Sequence, residues 1–131
     1  MHPAVELAIG QIKDTFPSHN VESVDDGSGG AFVRLHDLPF GEQYEPKAGW
    51  VAFHITHVYP HSDVYGHYLP VGLARVDKAA LGEGFHASHP MKLGGWEGTC
   101  TFVSRRSNKW NPAQDTAALK LQKVLEWMRT R

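Results

Sequence analysis

The stretch WVAFHIT, residues 50–56, decides how this chain is read. Val51, Phe53 and Ile55 fall on one side of an extended backbone and Trp50, Ala52 and His54 on the other. That is the alternation of a half-buried β-strand. Working outward, residues 36–49 carry Pro39, Gly41, Pro46 and Gly49 and read as a loop, with a brief extended piece around Gln43 to Glu45. Before it, the turn DDGSGG (residues 25–30) leads into a short strand, Ala31 to Leu35. After it, Leu69 to Val76 is a third extended segment and Thr99 to Val103 a short fourth.

Helical spacing appears only toward the two ends. Val5, Ala8, Ile9, Ile12 and Phe16 recur at intervals of three and four, Pro3 suits a first turn, and Pro17 forbids continuation. Near the other end Ala117, Leu121, Val124, Leu125 and Met128 form one stripe, with Pro112 expected at the first helical position and Asn111 or Asp115 as its cap. Helix, about four sequential strands in an antiparallel meander, an irregular stretch and a helix describe one α+β domain over residues 1–131.

The composition is that of an ordinary globular chain, 41% hydrophobic and 21% charged. Thirteen basic against fourteen acidic side chains leave a net charge of -1, which disfavours a polyanion such as nucleic acid or an anionic membrane. No basic leader with an apolar run opens the sequence, and no apolar run is long enough to span a bilayer, so a soluble cytoplasmic protein is expected. The single cysteine, Cys100, excludes an internal disulfide and fits a reducing compartment.

Nine histidines raise the question of a metal. His54, His57, His61 and His67 with Asp63 are the candidate ligands, since imidazole is the commonest zinc donor. Their spacing argues against a site: His54 and His57 point to opposite faces of a strand, Pro60 interrupts any helix, and neither His-x-His nor His-Glu-x-x-His occurs. No metal ligands are assigned. No phosphate-cradling Gly-Lys-Ser/Thr loop is present and no small cofactor is implied.

Between Tyr59 and Leu125 the sequence resembles the ubiquitin-conjugating (UBC-like) family, in the short divergent form of its prokaryotic branch. A strand runs into Tyr59-Pro60; His89-Pro90-Met91 follows where the family has His-Pro-Asn; Cys100 lies eleven residues after His89; Trp110-Asn111-Pro112 opens the last helix. The resemblance implies a UBC-like fold: N-terminal helix, β-meander, active-site loop, C-terminal helix. It also implies the activity of a ubiquitin-like-protein conjugating enzyme. Cys100 would accept the C-terminus of a ubiquitin-like protein as a thioester from an activating enzyme and pass it to an amine on a protein target. The implied setting is a bacterial conjugation operon, with antiviral defence as its context.

Three departures bear on that chemistry. Met91 stands where the family's oxyanion-stabilising asparagine belongs, the Gly-rich stretch before Cys100 is one residue longer than usual, and two helices that follow in eukaryotic members are absent from this sequence. His86, Asn108 and Asn111 are the candidate substitute donors, His86 first because it sits just ahead of His89, which in the family holds the loop through backbone hydrogen bonds. Gly94, Gly95 and Gly98 leave room for an extended tail beside the backbone. Trp96 is either a platform for a partner or a wedge closing the active-site loop. Trp110 and Pro112 are read as core packing and helix initiation.

Two rival readings stand beside this one. In the first, the same fold binds a ubiquitin-like protein without catalysis, and Cys100 is a buried strand residue next to Thr101, Phe102 and Val103. In the second, the histidines build a zinc hydrolase.

Overall fold

A computed structural model describes all 131 residues as an α+β structure with two helices and eight strands. Helix α1 spans Pro3–Thr15 and helix α2 Ala117–Arg129. The strands are β1 (Val21–Asp25), β2 (Ala31–Pro39), β3 (Tyr44–Glu45), β4 (Ala48–Ile55), β5 (His67–Leu69), β6 (Ala74–Arg75), β7 (Phe85–Leu93) and β8 (Trp96–Val103). Six of them form one sheet in the order β1-β2-β4-β5-β8-β7, every pair antiparallel, and β3 pairs with β6 apart from it.

The meander expected from sequence therefore covers four of the six strands of the sheet. From β1 to β5 the chain adds strands in sequence; it then passes to the far edge, lays down β7, and returns as β8 between β7 and β5. The irregular active-site loop expected around His89 is instead this long hairpin. Residues 36–39, expected in a loop, continue β2 past a bulge, where Asp37 takes a positive φ of 58°. Of the expected strand over Leu69 to Val76, only Leu69 at the end of β5 and the two residues of β6 lie in strands.

The alternation at residues 50–56 holds. Val51, Phe53 and Ile55 are buried in a core of 24 residues beneath the helices, together with Val33 and Leu35 of β2 and Leu69 of β5. Each fully buried side chain of this size contributes about 1.5–3 kcal/mol relative to exposure. Val5, Ala8, Ile9 and Ile12 of α1 and all five expected stripe residues of α2 enter the same core, with Phe16 at its margin.

The start of α2 differs from expectation. Thr116 is its cap, its side chain accepting from Leu119 N at 3.1 Å, so the helix begins five residues after Pro112. Asn111 instead organises a turn, its side-chain oxygen accepting from Ala113 N at 2.9 Å while Asp115 accepts from Asn111 N at 2.7 Å. Short polar side chains here satisfy nearby backbone donors in a turn, and the helix starts at the next residue able to cap it.

The opposite face of the sheet carries no helix. There the far half of the β7–β8 hairpin lies across the neighbouring strands. A Cβ on Gly94, at the hairpin tip, would stand 3.1 Å from Phe32 of β2, and the Arg34 guanidinium lies 4.5 Å from the centre of the Trp96 ring. Met91 and Leu93 of this arm form a second, small core with Ala52 and Cys100, edged by Phe32, Trp50, Tyr68 and Trp96.

Candidate functional site

Cys100 sits in the middle of β8, opposite His89 of β7 in the strand register. Strand alternation turns Thr101 and Val103 toward the helix side and Cys100 and Phe102 away from it, so the thiol enters the small core. It has no solvent exposure, and burial pushes its pKa from an ordinary 9.0 up to about 11. Desolvation is the only cause of the shift, and the ionisable group beside the sulfur is the Tyr68 phenol, whose own pKa is raised by burial and by Cys100.

His89 is hydrogen-bonded to the adjacent backbone rather than to the thiol. Its Nδ1 donates to the Pro90 carbonyl at 2.7 Å, and its ring stacks on Phe102 at 4.3 Å between centres. His86 reaches the same aromatic ring at 5.9 Å and is hydrogen-bonded to Ser104 Oγ at 2.7 Å. In a regular strand residues three apart would point to opposite faces. A bulge between His86 and His89, with Ser88 at φ 54°, shifts the register and brings both histidines onto the Phe102 side. Met91, in the position of the family's asparagine, is buried against Cys100 and offers no hydrogen-bond donor to an oxyanion.

The remaining expected donors lie elsewhere. Asn108 and Asn111 are exposed in the segment between β8 and α2, where both line a polar cavity. They are thus separated from the cluster that holds Cys100. Gly94 and Gly95 are exposed at the hairpin tip, and Trp96 is half-buried beside them, pinned by Arg34. Trp96 packs against the small core and is otherwise open to solvent.

The outer landmarks of the resemblance meet in space. Tyr59 is buried, its hydroxyl accepts from Ala117 N at 3.1 Å, and Trp110 donates from its indole nitrogen to the Pro60 carbonyl at 2.7 Å. The two rings lie 6.3 Å apart. Tyr59-Pro60 and Trp110 thereby fasten the segment after β4 to the start of α2, in the packing role read for Trp110. Pro112 is not the helix-initiating residue.

The histidines do not gather into a metal centre, and no group of three or more His, Cys, Asp or Glu side chains is placed to hold an ion. His54 pairs with Asp26 at 2.7 Å, which also accepts from the backbone of Ser28 and Gly30. His57 and His61 are exposed. His67 is fully buried against Phe53 with neither ring nitrogen hydrogen-bonded, and burial, with Lys120 nearby, drives its pKa down to about 3.

One network was not legible in sequence. Lys120, on α2, is 5% exposed and donates to Asp63 at 3.0 Å and to Ser107 Oγ at 2.8 Å; Asp63 also accepts from Ser107 N at 2.7 Å. Desolvation lowers the Lys120 pKa against the pull of Asp63. The stripe on α2 gave no sign of it, because Lys120 lies beside Leu121 at the edge of the apolar face. The signal that does exist is the cationic run Arg105-Arg106 with Lys109, in a segment otherwise without regular structure.

No helix is long and apolar enough to cross a membrane. Comparison with protein-family models, with curated proteins and with solved structures returns no match in any of the three.

Proposed function

We propose that this chain is a UBC-like domain that binds a ubiquitin-like protein without charging it on Cys100. The observation that carries the reading is the state of the thiol: without solvent exposure, its pKa raised to about 11 by burial, and packed beside Met91 rather than an amide. Transthiolation needs an accessible sulfur that becomes a thiolate. The resemblance itself is supported by the order of Tyr59-Pro60, His89-Pro90, Cys100 and Trp110, and by the contact of the first with the last. The docking element is the hairpin tip, where Gly94 and Gly95 leave the backbone uncovered and Trp96, backed by Arg34, presents the residue types enriched in protein interfaces.

A second reading, a conjugating enzyme that forms the thioester on Cys100, is favoured by one observation. The cysteine belongs to the small cluster that the hairpin arm closes, and not to the helix-side core. Lifting the arm would bring the sulfur to solvent opposite His89. The partner protein, activating enzyme and amine target of that reaction are those the resemblance implies.

Alkylation of the native protein separates the two. On the binding reading, Cys100 resists a small thiol reagent until denaturant is added, and incubation with an activating enzyme, a ubiquitin-like protein and ATP yields no adduct. A reductant-labile adduct that disappears in Cys100→Ser would replace the binding reading with the conjugating one. A histidine-based zinc hydrolase has no converging ligand set to build on.

A further inference from the structure

We propose a second site: a pocket for a small phosphate-bearing polyanion between the β8–α2 segment and α2, independent of the reading above. A cavity of about 560 Å³ opens there, within the range of small-molecule pockets. Arg105, Arg106, Lys109, Lys120 and Lys123 line it, against a single lining carboxylate, Asp115. In a chain of net charge -1 this is a local concentration of one sign.

The pairing of these charges decides which are free for a ligand. Lys120 is held by Asp63, and Lys123 lies 3.6 Å from Asp115. Arg105, Arg106 and Lys109 have no carboxylate partner; Arg105 rests on Trp127 at 4.7 Å and Arg106 on Tyr65 at 4.4 Å. Three uncompensated cations thus surround one cavity. The Ser107 hydrogen bonds to Asp63 and Lys120 tie the segment down between Arg106 and Lys109, so the backbone carrying those charges is anchored rather than free.

The chemistry selects the ligand. Only Val124 and Trp127 among the twelve lining residues are hydrophobic, so an apolar ligand has little to bury against. Trp127 is already stacked by Phe85 and also carries Arg131, which leaves its ring no ready face for a base. What remains is a set of guanidinium, ammonium and amide donors, the last from Asn108 and Gln114, suited to phosphate oxygens.

Inorganic tripolyphosphate titrated calorimetrically into the whole chain at about 0.15 M salt provides the test. One equivalent should bind. The triple variant Arg105→Ala, Arg106→Ala, Lys109→Ala should lose at least about tenfold in affinity. A variant losing three exposed charges elsewhere, Lys13→Ala, Lys47→Ala, Lys92→Ala, should change by less than about twofold. Unchanged urea midpoints would show that both remain folded. Absence of binding to the unaltered chain, or equal losses in both variants, overturns the proposal. So does tighter binding of a mixed-sequence single-stranded oligonucleotide than of tripolyphosphate, which would make the patch a nucleic-acid surface.

Discussion

The two faces of the sheet are built on different principles. Beneath the helices, a continuous core of 24 residues draws on α1, α2 and alternate positions of β2, β4 and β5. On the other face the cluster has four buried residues, two of them carried by an arm of the same sheet, and is edged by half-exposed aromatic rings. The first core is deep and held from several elements. The second is one layer thick and depends on a hairpin crossing back over strands far away in sequence. Cys100 belongs to the second, so its cover is a thin layer of side chains rather than the helix-side core.

Truncating one side chain on each face should affect the two layers unequally. Phe53→Ala should cost about 3–5 kcal/mol in urea unfolding, and Met91→Ala about 2 kcal/mol, because the thinner layer can collapse around the gap. Equal losses would mean that the two faces are equally anchored. On the helix side, Asp63→Ala should also cost about 3 kcal/mol, since it leaves the Lys120 ammonium buried without its carboxylate; adding Lys120→Met should restore part of that loss.

A smaller effect is expected from His67. Its folded pKa, about 3, lies below the ordinary 6.5, so below pH 6.5 the unfolded chain takes up a proton that the folded chain refuses. Stability is therefore lost as pH falls from about 6.5 toward 3, by about 2 kcal/mol at about pH 5. His67→Phe should flatten this acid limb relative to the unaltered chain, and an unchanged limb would place the loss in other groups.

Cys100 gives the opposite sign. Its folded pKa is raised from 9.0 to about 11, so the unfolded chain ionises first and stability declines through that window as pH rises, by roughly 1 kcal/mol at about pH 10. Cys100→Ala should lack this alkaline decline. The smallest change in stability should come from Trp96→Ala, about 1 kcal/mol or less, yet it should speed alkylation of native Cys100 by loosening the arm. No change in that rate would show that the arm does not control access.

Much of the helix side was legible without coordinates. The spacing in α1 and α2 and the alternation at residues 50–56 named most of the residues that meet in the large core, because periodicity is a local property that burial on one face imposes. Less could be read of the site. The landmark order located Tyr59 and Trp110, which do meet, and the short strand read over Thr99 to Val103 does hold Cys100, but the active-site loop expected around His89 is a hairpin. Residues 85–93 mix histidine, serine, proline and lysine, and strand pairing there comes from the partner strand rather than from a pattern of its own.

By itself, then, the sequence determined two amphipathic helices flanking an antiparallel sheet and a single thiol. Each of those follows from composition and from periods of about 3.6 and 2 residues. Only the tertiary structure decided that β8 inserts between β5 and β7, that a bulge turns His86 and His89 onto one ring, and that Met91 and Leu93 close over the sulfur. These are contacts between segments whose proximity depends on how the hairpin twists and on where its bulge falls. Neither is encoded in any local spacing, and together they set the solvation of Cys100 and so its chemistry.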